Sequence, residues 1–185
     1  MLKRFLLYKK EIMLLLIIFA MFCIFSFFSS YTSENSHFSI KRTTDGYEIT
    51  LYDETGKKVL SEIYPKEPWV KEVINDVLEI GISTGSPSSY VYFFNNTTAE
   101  VSNTYFNPIL FGDEYIAYME DGILILTDIF NRGLLYKEIG GDFSETANPI
   151  SAIISIEMLD NNTIQLKYYS GLNFDEKLEI IKINN

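Results

Sequence analysis

The sequence predicts an all-β domain that follows one N-terminal transmembrane helix. Three observations support this prediction: an uninterrupted apolar run near the N-terminus, short apolar segments that recur about every 8 to 12 residues after it, and turn-forming residues between those segments. The predicted organisation is a basic cytoplasmic N-terminus over residues 1–11, a transmembrane signal anchor over 12–30, a linker over 31–37 and an all-β extracytoplasmic domain over 38–185.

The anchor is predicted over Ile12–Ser30, nineteen residues without a charged side chain. Such a helix is long enough to cross about 30 Å of hydrocarbon. Lys3, Arg4, Lys9 and Lys10 precede it, and basic residues beside a spanning helix stay on the cytoplasmic side. We therefore expect a single-pass protein of the cell membrane, held in the lipid bilayer by residues 12–30, with its C-terminal domain outside.

A cleaved secretory signal is the alternative to a permanent anchor. Signal peptidase needs small residues at the first and third positions before the cut, whereas cuts after Ser29 or Ser30 place Phe27 or Phe28 at the third position. The anchor is therefore the favoured interpretation. Cys23, the only cysteine in the chain, is expected to be a small apolar side chain facing lipid.

The composition of the outer part excludes several classes of protein. Beyond residue 11 the chain holds 11 of its 15 Lys and Arg residues and 24 of its 25 Asp and Glu residues, a formal net charge of −13. Such a surface repels nucleic acid and favours solubility, basic partners or divalent cations. Because no cysteine lies beyond the anchor, disulfides and thiolate metal sites are excluded and burial must stabilise the fold.

The first strands are predicted from alternating polarity and from prolines. Tyr47–Tyr52 alternates apolar and polar residues with the period of a half-buried strand, and Val59–Tyr64 is its return strand. Pro65–Pro68 then interrupts the sheet. Trp69–Asn75 fits a helical stripe as well as a strand, and its β-branched residues favour a strand.

The rest of the chain predicts an antiparallel meander. Thr84–Ser89 is expected to be a turn and Gly140–Pro149 a longer polar loop. Tyr90–Phe94 is so apolar that a central strand is expected. The remaining predicted strands are Leu78–Ile82, Val101–Phe106, Ile109–Phe111, Tyr115–Met119, Ile123–Ile129, Leu134–Ile139, Ile150–Leu159, Thr163–Tyr169 and Lys177–Ile183.

Three of the predicted turns look alike and suggest a repeat. Each begins with an aromatic residue, at Tyr52, Phe94 and Phe130, followed by Asp or Asn and a turn, at spacings of 42 and 36 residues. This pattern resembles the outer hairpins of β-propeller blades, in units of about three strands. An open meander, a sandwich or a barrel is the alternative architecture.

The sequence offers no catalytic residue, metal site or cofactor site. His37, the single histidine, lies in the predicted linker, which excludes a Ser-His-Asp triad and a histidine zinc site in the domain. The acidic residues cluster at turns, where solvated side chains are expected. Asp113, Glu120 and Asp121 do not have the spacing of a calcium-binding loop.

Two features are candidates for binding. Ser83–Tyr90 (STGSPSSY) combines Gly, Pro and four serines between two apolar strands, and is expected to be a hairpin loop with Ser86 and Tyr90 as recognition residues. Asn107 and Asn148 each begin an Asn-Pro-Ile tripeptide before a strand. An ordinary hairpin and a proline at the start of a strand explain both features without a ligand; if the units stack, the two tripeptides share one rim.

Two resemblances add to these expectations. Ser83–Tyr90 resembles the Ser-Gly-x-x-Tyr loop of periplasmic lysozyme inhibitors, with a longer Ser-to-Tyr spacing, which implies that Ser86 and Tyr90 enter a cleft of a partner. The segment from Val73 to Met158, with VINDVLEIGISTGSP, NPILFGDEYIAYMEDG and ANPISAIIS, resembles membrane-anchored ectodomain proteins of low-GC Gram-positive bacteria. The second resemblance implies a location and no activity.

The expected function is therefore that of a membrane-anchored extracytoplasmic binding module without enzymatic activity. Its expected partners are the lipid bilayer and a protein or envelope component, and nucleic acid is excluded. One alternative is a carboxylate-dependent enzyme acting on cell-envelope glycan. The other is an accessory subunit of a membrane complex.

Overall fold

A computed structural model describes residues 32–34 and 36–183. The basic N-terminus and the predicted anchor, residues 1–11 and 12–30, lie outside the described residues. Within the described part, the regular structure consists of β-strands and one short 3₁₀-helix, Pro149–Ala152. The prediction of an all-β domain is thus confirmed.

Among residues 32–34 and 36–183, no helix has the length and apolar character needed to cross a membrane.

The strands are short and follow one another closely along the chain. Their bounds are β1 Thr32–Glu34, β2 Phe38–Thr43, β3 Gly46–Tyr52, β4 Lys58–Tyr64, β5 Trp69–Ile74, β6 Val77–Gly85, β7 Ser88–Asn95, β8 Glu100–Val101, β9 Tyr105–Phe106, β10 Ile109–Phe111, β11 Tyr115–Glu120, β12 Ile123–Asp128, β13 Tyr136–Gly140, β14 Ile153–Asp160, β15 Thr163–Ser170 and β16 Asp175–Lys182.

These strands form four antiparallel sheets in chain order. Sheet 1 contains β1 to β4, sheet 2 contains β5 to β9, sheet 3 contains β10 to β13 and sheet 4 contains β14 to β16. Within each sheet, strands that follow each other in the chain lie side by side, except that β8 and β9 both pair with β7. The predicted antiparallel meander is confirmed. The barrel alternative is wrong for the described residues, because the strand order of each sheet is linear and none closes on itself.

Alternating polarity explains why these segments become strands. In β15, Ile164, Leu166 and Tyr168 are buried on one face, while Gln165 and Lys167 on the other face remain partly exposed. This is the period of two residues that a strand requires when one face is buried. Trp69–Ile74, which fitted a helix as well as a strand, forms strand β5 and pairs with β6.

Three apolar clusters join the sheets into a stack. The first lies between sheets 1 and 2 and includes Ile49, Ile80 and Phe94. The second, between sheets 2 and 3, includes Phe93 and Ile116, and the third lies between sheets 3 and 4. Sheets 2 and 3 are therefore covered on both faces. Among the described residues, each cluster joins two sheets that follow one another in the chain.

The two ends of the stack are set by the direction of the strands. The turns that follow β3, β7 and β12 lie together at one end, which we call the lower end. There the Glu54 N–H donates to the Asn96 carbonyl at 3.1 Å across sheets 1 and 2, and Arg132 of sheet 3 pairs with Glu100 of sheet 2. The Lys137 amine donates to the Lys182 carbonyl at 2.6 Å and ties sheet 4 to sheet 3 at the same end. The opposite end is the upper end.

The structure differs from the sequence-based boundaries at four places. Val101–Phe106, predicted as one strand, is two short strands, β8 and β9, because the Ser102 hydroxyl instead of a backbone carbonyl accepts the Phe93 N–H at 2.8 Å. Thr32–Glu34 pairs with Ser39–Lys41 as strand β1, so a strand lies inside the segment expected to be a linker. Ile150–Leu159 begins with the 3₁₀-helix and becomes a strand only at Ile153. The predicted turn Thr84–Ser89 is also shorter than expected, because the flanking strands extend to Gly85 and from Ser88.

Candidate functional site

The structure contains a cleft at the lower end, between sheets 2 and 3. Its volume is about 120 Å³. Four separate segments form its walls: the turn before β6, the end of β7, the turn before β11 and the loop after β12. The lining residues are Ile74, Asn75, Val77, Asn95, Asp113, Glu114, Asp128, Ile129, Phe130, Arg132 and Leu134.

Asp128 holds the loop on one wall of the cleft in place. The residue is only 2% exposed, and its carboxylate accepts hydrogen bonds from three backbone N–H groups: Arg132 at 2.6 Å, Gly133 at 3.0 Å and Leu134 at 3.1 Å. These bonds satisfy buried polar oxygens that would otherwise be costly to bury. Asp128 is thus the structural cap of this loop.

Arg132 is the cation at the mouth of the cleft. Its Nε donates to Glu100 Oε2 at 3.1 Å, and its guanidinium lies 4.9 Å from the centre of the Phe130 ring. The hydrogen bond to Glu100 raises the pKa of Arg132 above its ordinary value. The side chain is 41% exposed, so the guanidinium is positioned by its contacts and still faces solvent.

Asp113 and Glu114 supply carboxylates on the opposite wall. Both side chains are exposed, and neither forms an ion pair within the described part of the chain. The Glu114 backbone is fixed, because its carbonyl accepts the Ile129 N–H at 2.9 Å. The cleft therefore combines free carboxylates, a held guanidinium and the amides of Asn75 and Asn95, groups that suit hydrogen bonding to a small polar group.

Tyr105 links the two sheets beside the cleft. Its hydroxyl donates to the Ile129 carbonyl at 2.9 Å, and burial raises the pKa of Tyr105 to about 12. The hydroxyl is therefore a neutral donor at physiological pH.

The described residues show no clustered metal ligands. In residues 32–34 and 36–183, no three His, Cys, Asp or Glu side chains are grouped so that they could hold a metal ion. Asp113 precedes strand β11, while Glu120 and Asp121 lie at its far end. Asp113 thus lies at one end of β11, and Glu120 and Asp121 lie at the other. Their spacing in the sequence is likewise unlike that of a calcium-binding loop.

The structure brings Tyr90 and Asn107 together at the upper end. Tyr90 is 47% exposed and its ring lies 5.3 Å from that of Phe106, its cross-strand neighbour. Asn107 follows Phe106 directly, and its Oδ1 accepts hydrogen bonds from the Ser89 N–H at 2.7 Å and the Ser89 hydroxyl at 3.1 Å. The two predicted residues are therefore parts of one local structure.

Ser86 lies on the same hairpin, but the predicted long loop is wrong. Ser83–Gly85 belongs to β6 and Ser88–Tyr90 to β7, so only Ser86 and Pro87 remain in the turn. Gly85, with a φ of 135°, permits this tight connection. The Ser86–Pro87 peptide bond is cis, and both side chains are exposed.

Asn148 lies apart from these three residues. It precedes the first strand of sheet 4 as Asn107 precedes the first strand of sheet 3, and strand direction places both at the upper end. Asn148 is 9% exposed, and its carbonyl accepts the Ser151 N–H at 2.8 Å. No hydrogen bond joins Asn148 to Asn107, so within the described region the two tripeptides share an end of the stack but form no single site.

Capping side chains at the lower end were only partly anticipated from the sequence. Asp53 accepts the Thr55 and Lys57 N–H groups, both at 2.9 Å, and Asn95 accepts those of Thr97 and Thr98 at 3.0 and 2.9 Å. The equivalent residue in sheet 3 is Asp128, not the Asn131 that the repeat pattern selected. The signal in the sequence that could have identified Asp128 as the capping residue is an Asp at the end of an apolar strand, followed five residues later by a glycine, Gly133.

These features define the class of protein: an all-β protein built from four stacked antiparallel sheets, with a polar cleft at one end and an aromatic pair at the other. Comparison with protein-family models, with curated proteins and with solved structures gave no match.

Proposed function

We propose that the chain is a membrane-anchored extracytoplasmic interaction module that binds a protein or envelope partner at its upper end without catalysing a reaction. The observation that carries this proposal is the pair formed by Tyr90 and Phe106. Tyr90 is nearly half exposed although it belongs to β7, the best buried strand of sheet 2. Exposed aromatic residues on rigid strands are frequent anchors of protein interfaces.

The backbone beneath Tyr90 is held firmly. The Asn107 N–H donates to the Ser89 carbonyl at 3.0 Å, while the Ser89 N–H donates to Asn107 Oδ1 at 2.7 Å. These reciprocal bonds fix the chain after β9 against β7. Little conformational entropy is then lost when Tyr90 is covered, and we assign Asn107 a positioning role rather than a contact with the partner.

We further infer that the four sheets are blade-like units of the β-propeller type. Each core cluster joins two consecutive sheets, as in stacked blades. Pro68 and Pro108 stand directly before the first strands of sheets 2 and 3, and Pro149 begins the 3₁₀-helix that leads into the first strand of sheet 4. A proline therefore precedes the first strand in each of these three units. In folds of this kind the loops at one end of the strands form the usual binding face.

The proposed location rests on the predicted anchor and its basic flank. A protease added to intact cells is expected to degrade the β-domain while an N-terminal tag remains protected inside. Protection of the β-domain in intact cells, with degradation after the cells are opened, would contradict this orientation.

The binding proposal is tested with the intact chain as bait for capture from native membranes. Substitution Tyr90→Ala is expected to weaken binding to the captured partner by about 2 kcal/mol, roughly 30-fold in Kd. Tyr136→Ala is the matched control, because Tyr136 is 61% exposed on the edge of sheet 3. Equal losses for the two variants, or no loss for Tyr90→Ala, would contradict the proposal.

Recovery of one stoichiometric membrane protein in this experiment would specify the function as that of an accessory subunit. A partner recovered with wall material would instead indicate an envelope ligand. Both outcomes retain the Tyr90 surface as the binding face.

A carboxylate-dependent enzyme on cell-envelope glycan is the second candidate, and the cleft is the observation that favours it. Asp113 and Glu114 are exposed at its mouth, where carboxylates are available for acid–base chemistry. Asp113→Asn and Glu114→Gln are expected to leave the fold intact. Loss of activity on wall glycan in either variant, with binding at Tyr90 unchanged, would favour the enzyme.

A further inference from the structure

The outer edge of sheet 4 differs from the corresponding part of the other three sheets. In sheets 1, 2 and 3 the third strand is covered by a further strand: β4 on β3, β8 and β9 on β7, and β13 on β12. In sheet 4 the third strand is β16, and the described residues supply no strand on its outer side. All residues of β16 except Ile181 are exposed.

This edge is long and regular. Eight consecutive residues of β16 pair with β15 without a register shift, and β16 contains no proline. Leu178 and Ile180 lie on one face of the strand and are 59% and 55% exposed. An edge with these properties is a template for pairing with another strand.

The charges along β16 restrict which strand can pair with it. Lys177 and Glu179 lie on the face opposite to Leu178 and Ile180. Lys177 donates to Asp142 Oδ2 at 2.7 Å, and Glu179 accepts the Tyr168 hydroxyl at 2.6 Å. An incoming strand must therefore place opposite charges against a fixed lysine and a fixed glutamate.

A second copy of β16 meets this requirement. In an antiparallel pair centred on Leu178, Lys177 of each copy lies opposite Glu179 of the other copy, and the two Leu178 side chains face each other. Ile180 then lies opposite Glu176 of the other copy, whose carboxylate is paired with Lys167 of its own sheet. Ile180 is also diagonally next to Leu178 of the other copy, within reach for apolar contact.

The neighbouring registers are less favourable. A pair centred on Glu179 places the two Glu179 carboxylates opposite each other, and one centred on Lys177 does the same with two ammonium groups. A register centred between two residues would place the face that carries Leu178 and Ile180 on the same side as the face of the other copy that carries Lys177 and Glu179. The register centred on Leu178 avoids this mismatch and also avoids like charges directly opposite each other.

We propose that β16 forms an antiparallel edge-to-edge interface with β16 of a second copy of this chain, centred on Leu178. Two copies of sheet 4 then form one six-stranded sheet across a two-fold axis, the commonest symmetry of homodimers. This surface is separate from Tyr90, so the dimer and the proposed partner are tested independently.

Disulfide trapping tests the register. Leu178→Cys is introduced into the full chain in native membranes with Cys23→Ser, which removes the only natural thiol. A residue on the axis lies about 5 Å from its counterpart between Cα atoms, a distance that a disulfide bridges. Glu176→Cys and Ile180→Cys are matched controls, because their counterparts lie about 13 Å apart along the strands. We expect a disulfide-linked dimer with Leu178→Cys only; no dimer at position 178, or equal amounts at all three positions, would overturn the proposal.

Charge reversal tests the interface without relying on the stability of one variant. Lys177→Glu alone and Glu179→Lys alone each place like charges across the axis, and each is expected to reduce cross-linking through Leu178→Cys at least fivefold. Coexpression of the two variants restores opposite charges in the mixed dimer and is expected to restore cross-linking. Variants that fail merely because they misfold are not rescued by mixing, and absence of rescue would count against the interface.

Discussion

Phe93 and Phe94 are consecutive residues that belong to different cores. Phe93 packs between sheets 2 and 3, and Phe94 packs between sheets 1 and 2, because successive side chains of a strand point to opposite faces. Both are at most 1% exposed. Four residues earlier than Phe94 on the same strand, Tyr90 keeps 47% of its surface exposed, so β7 contains both core and surface aromatic residues.

Truncation of these two aromatic residues is expected to have different effects on stability. Phe94→Ala should lower the free energy of unfolding by about 3 to 5 kcal/mol, since it leaves a cavity in the core. Tyr90→Ala should lower it by less, because much of the Tyr90 side chain is in solvent. Urea unfolding of both variants measures the difference, and an equal loss would show that Tyr90 is a packing residue.

Asp128 supports a second residue-level prediction. Asp128→Ala leaves three backbone N–H groups without their acceptor and is expected to cost about 2 kcal/mol or more. Asp113→Ala is the control on the same cleft, where an exposed carboxylate should change stability by less than about 0.5 kcal/mol. Thermal unfolding of the two variants is the measurement, and similar melting temperatures would contradict the capping role.

Asp142 is expected to make stability depend on acid pH. The hydrogen bond from Lys177, assisted by Ser170, lowers the pKa of Asp142 below its ordinary value of 3.8. The folded state therefore favours the ionised form, so its contribution is full above pH 3.8 and is lost as the pH falls below that value. In the Asp142→Asn variant, the free energy of unfolding should fall less steeply as the pH drops below 3.8. Acid unfolding identical to that of the natural chain would contradict this role of Asp142.

At the scale of single elements, Trp69 of β5 and Gly81 of β6 show how the side chains of two paired strands fit together. They are direct partners in the pairing of β5 with β6, and the Trp69 ring lies over the glycine. A Cβ atom at position 81 would fall 1.8 Å from Cζ2 of the indole, which is far inside van der Waals contact. The absence of a side chain at Gly81 therefore lets the indole cover the backbone of β6.

Gly81→Ala is expected to displace the indole from β6 without unfolding the chain. Trp69 is the only tryptophan, so its fluorescence reports this site alone, and the emission should shift to longer wavelength as the ring enters water. Gly140→Ala is a suitable control, because a Cβ there meets no atom within 4 Å. An unchanged spectrum for Gly81→Ala would contradict the packing described here.

At the scale of the whole molecule, the all-β class and the meander were predictable, because period-two patterns such as Thr163–Tyr169 and the turns between strands are local in sequence. The tight turn at Ser86 was not, since the turn-forming composition of STGSPSSY does not reveal how far the flanking strands remain paired. The cleft was not predictable either. Asn75, Asn95, Asp113 and Arg132 meet only because sheets 2 and 3 stack, and no spacing in the sequence records that contact.

The stacking of sheets in chain order also determines how the molecule opens. Because each cluster couples only consecutive sheets, the stack behaves as a nearly one-dimensional array whose end units have a single stabilising neighbour. Local opening should therefore begin at sheet 1, since sheet 4 gains a second neighbour when two copies pair through β16, while sheets 2 and 3 open only with the whole structure. In native-state hydrogen exchange, the amides of β7 and β12 should be replaced by deuterium last and those of β2 early. A uniform exchange rate across the four sheets would instead indicate that the stack unfolds in a single step.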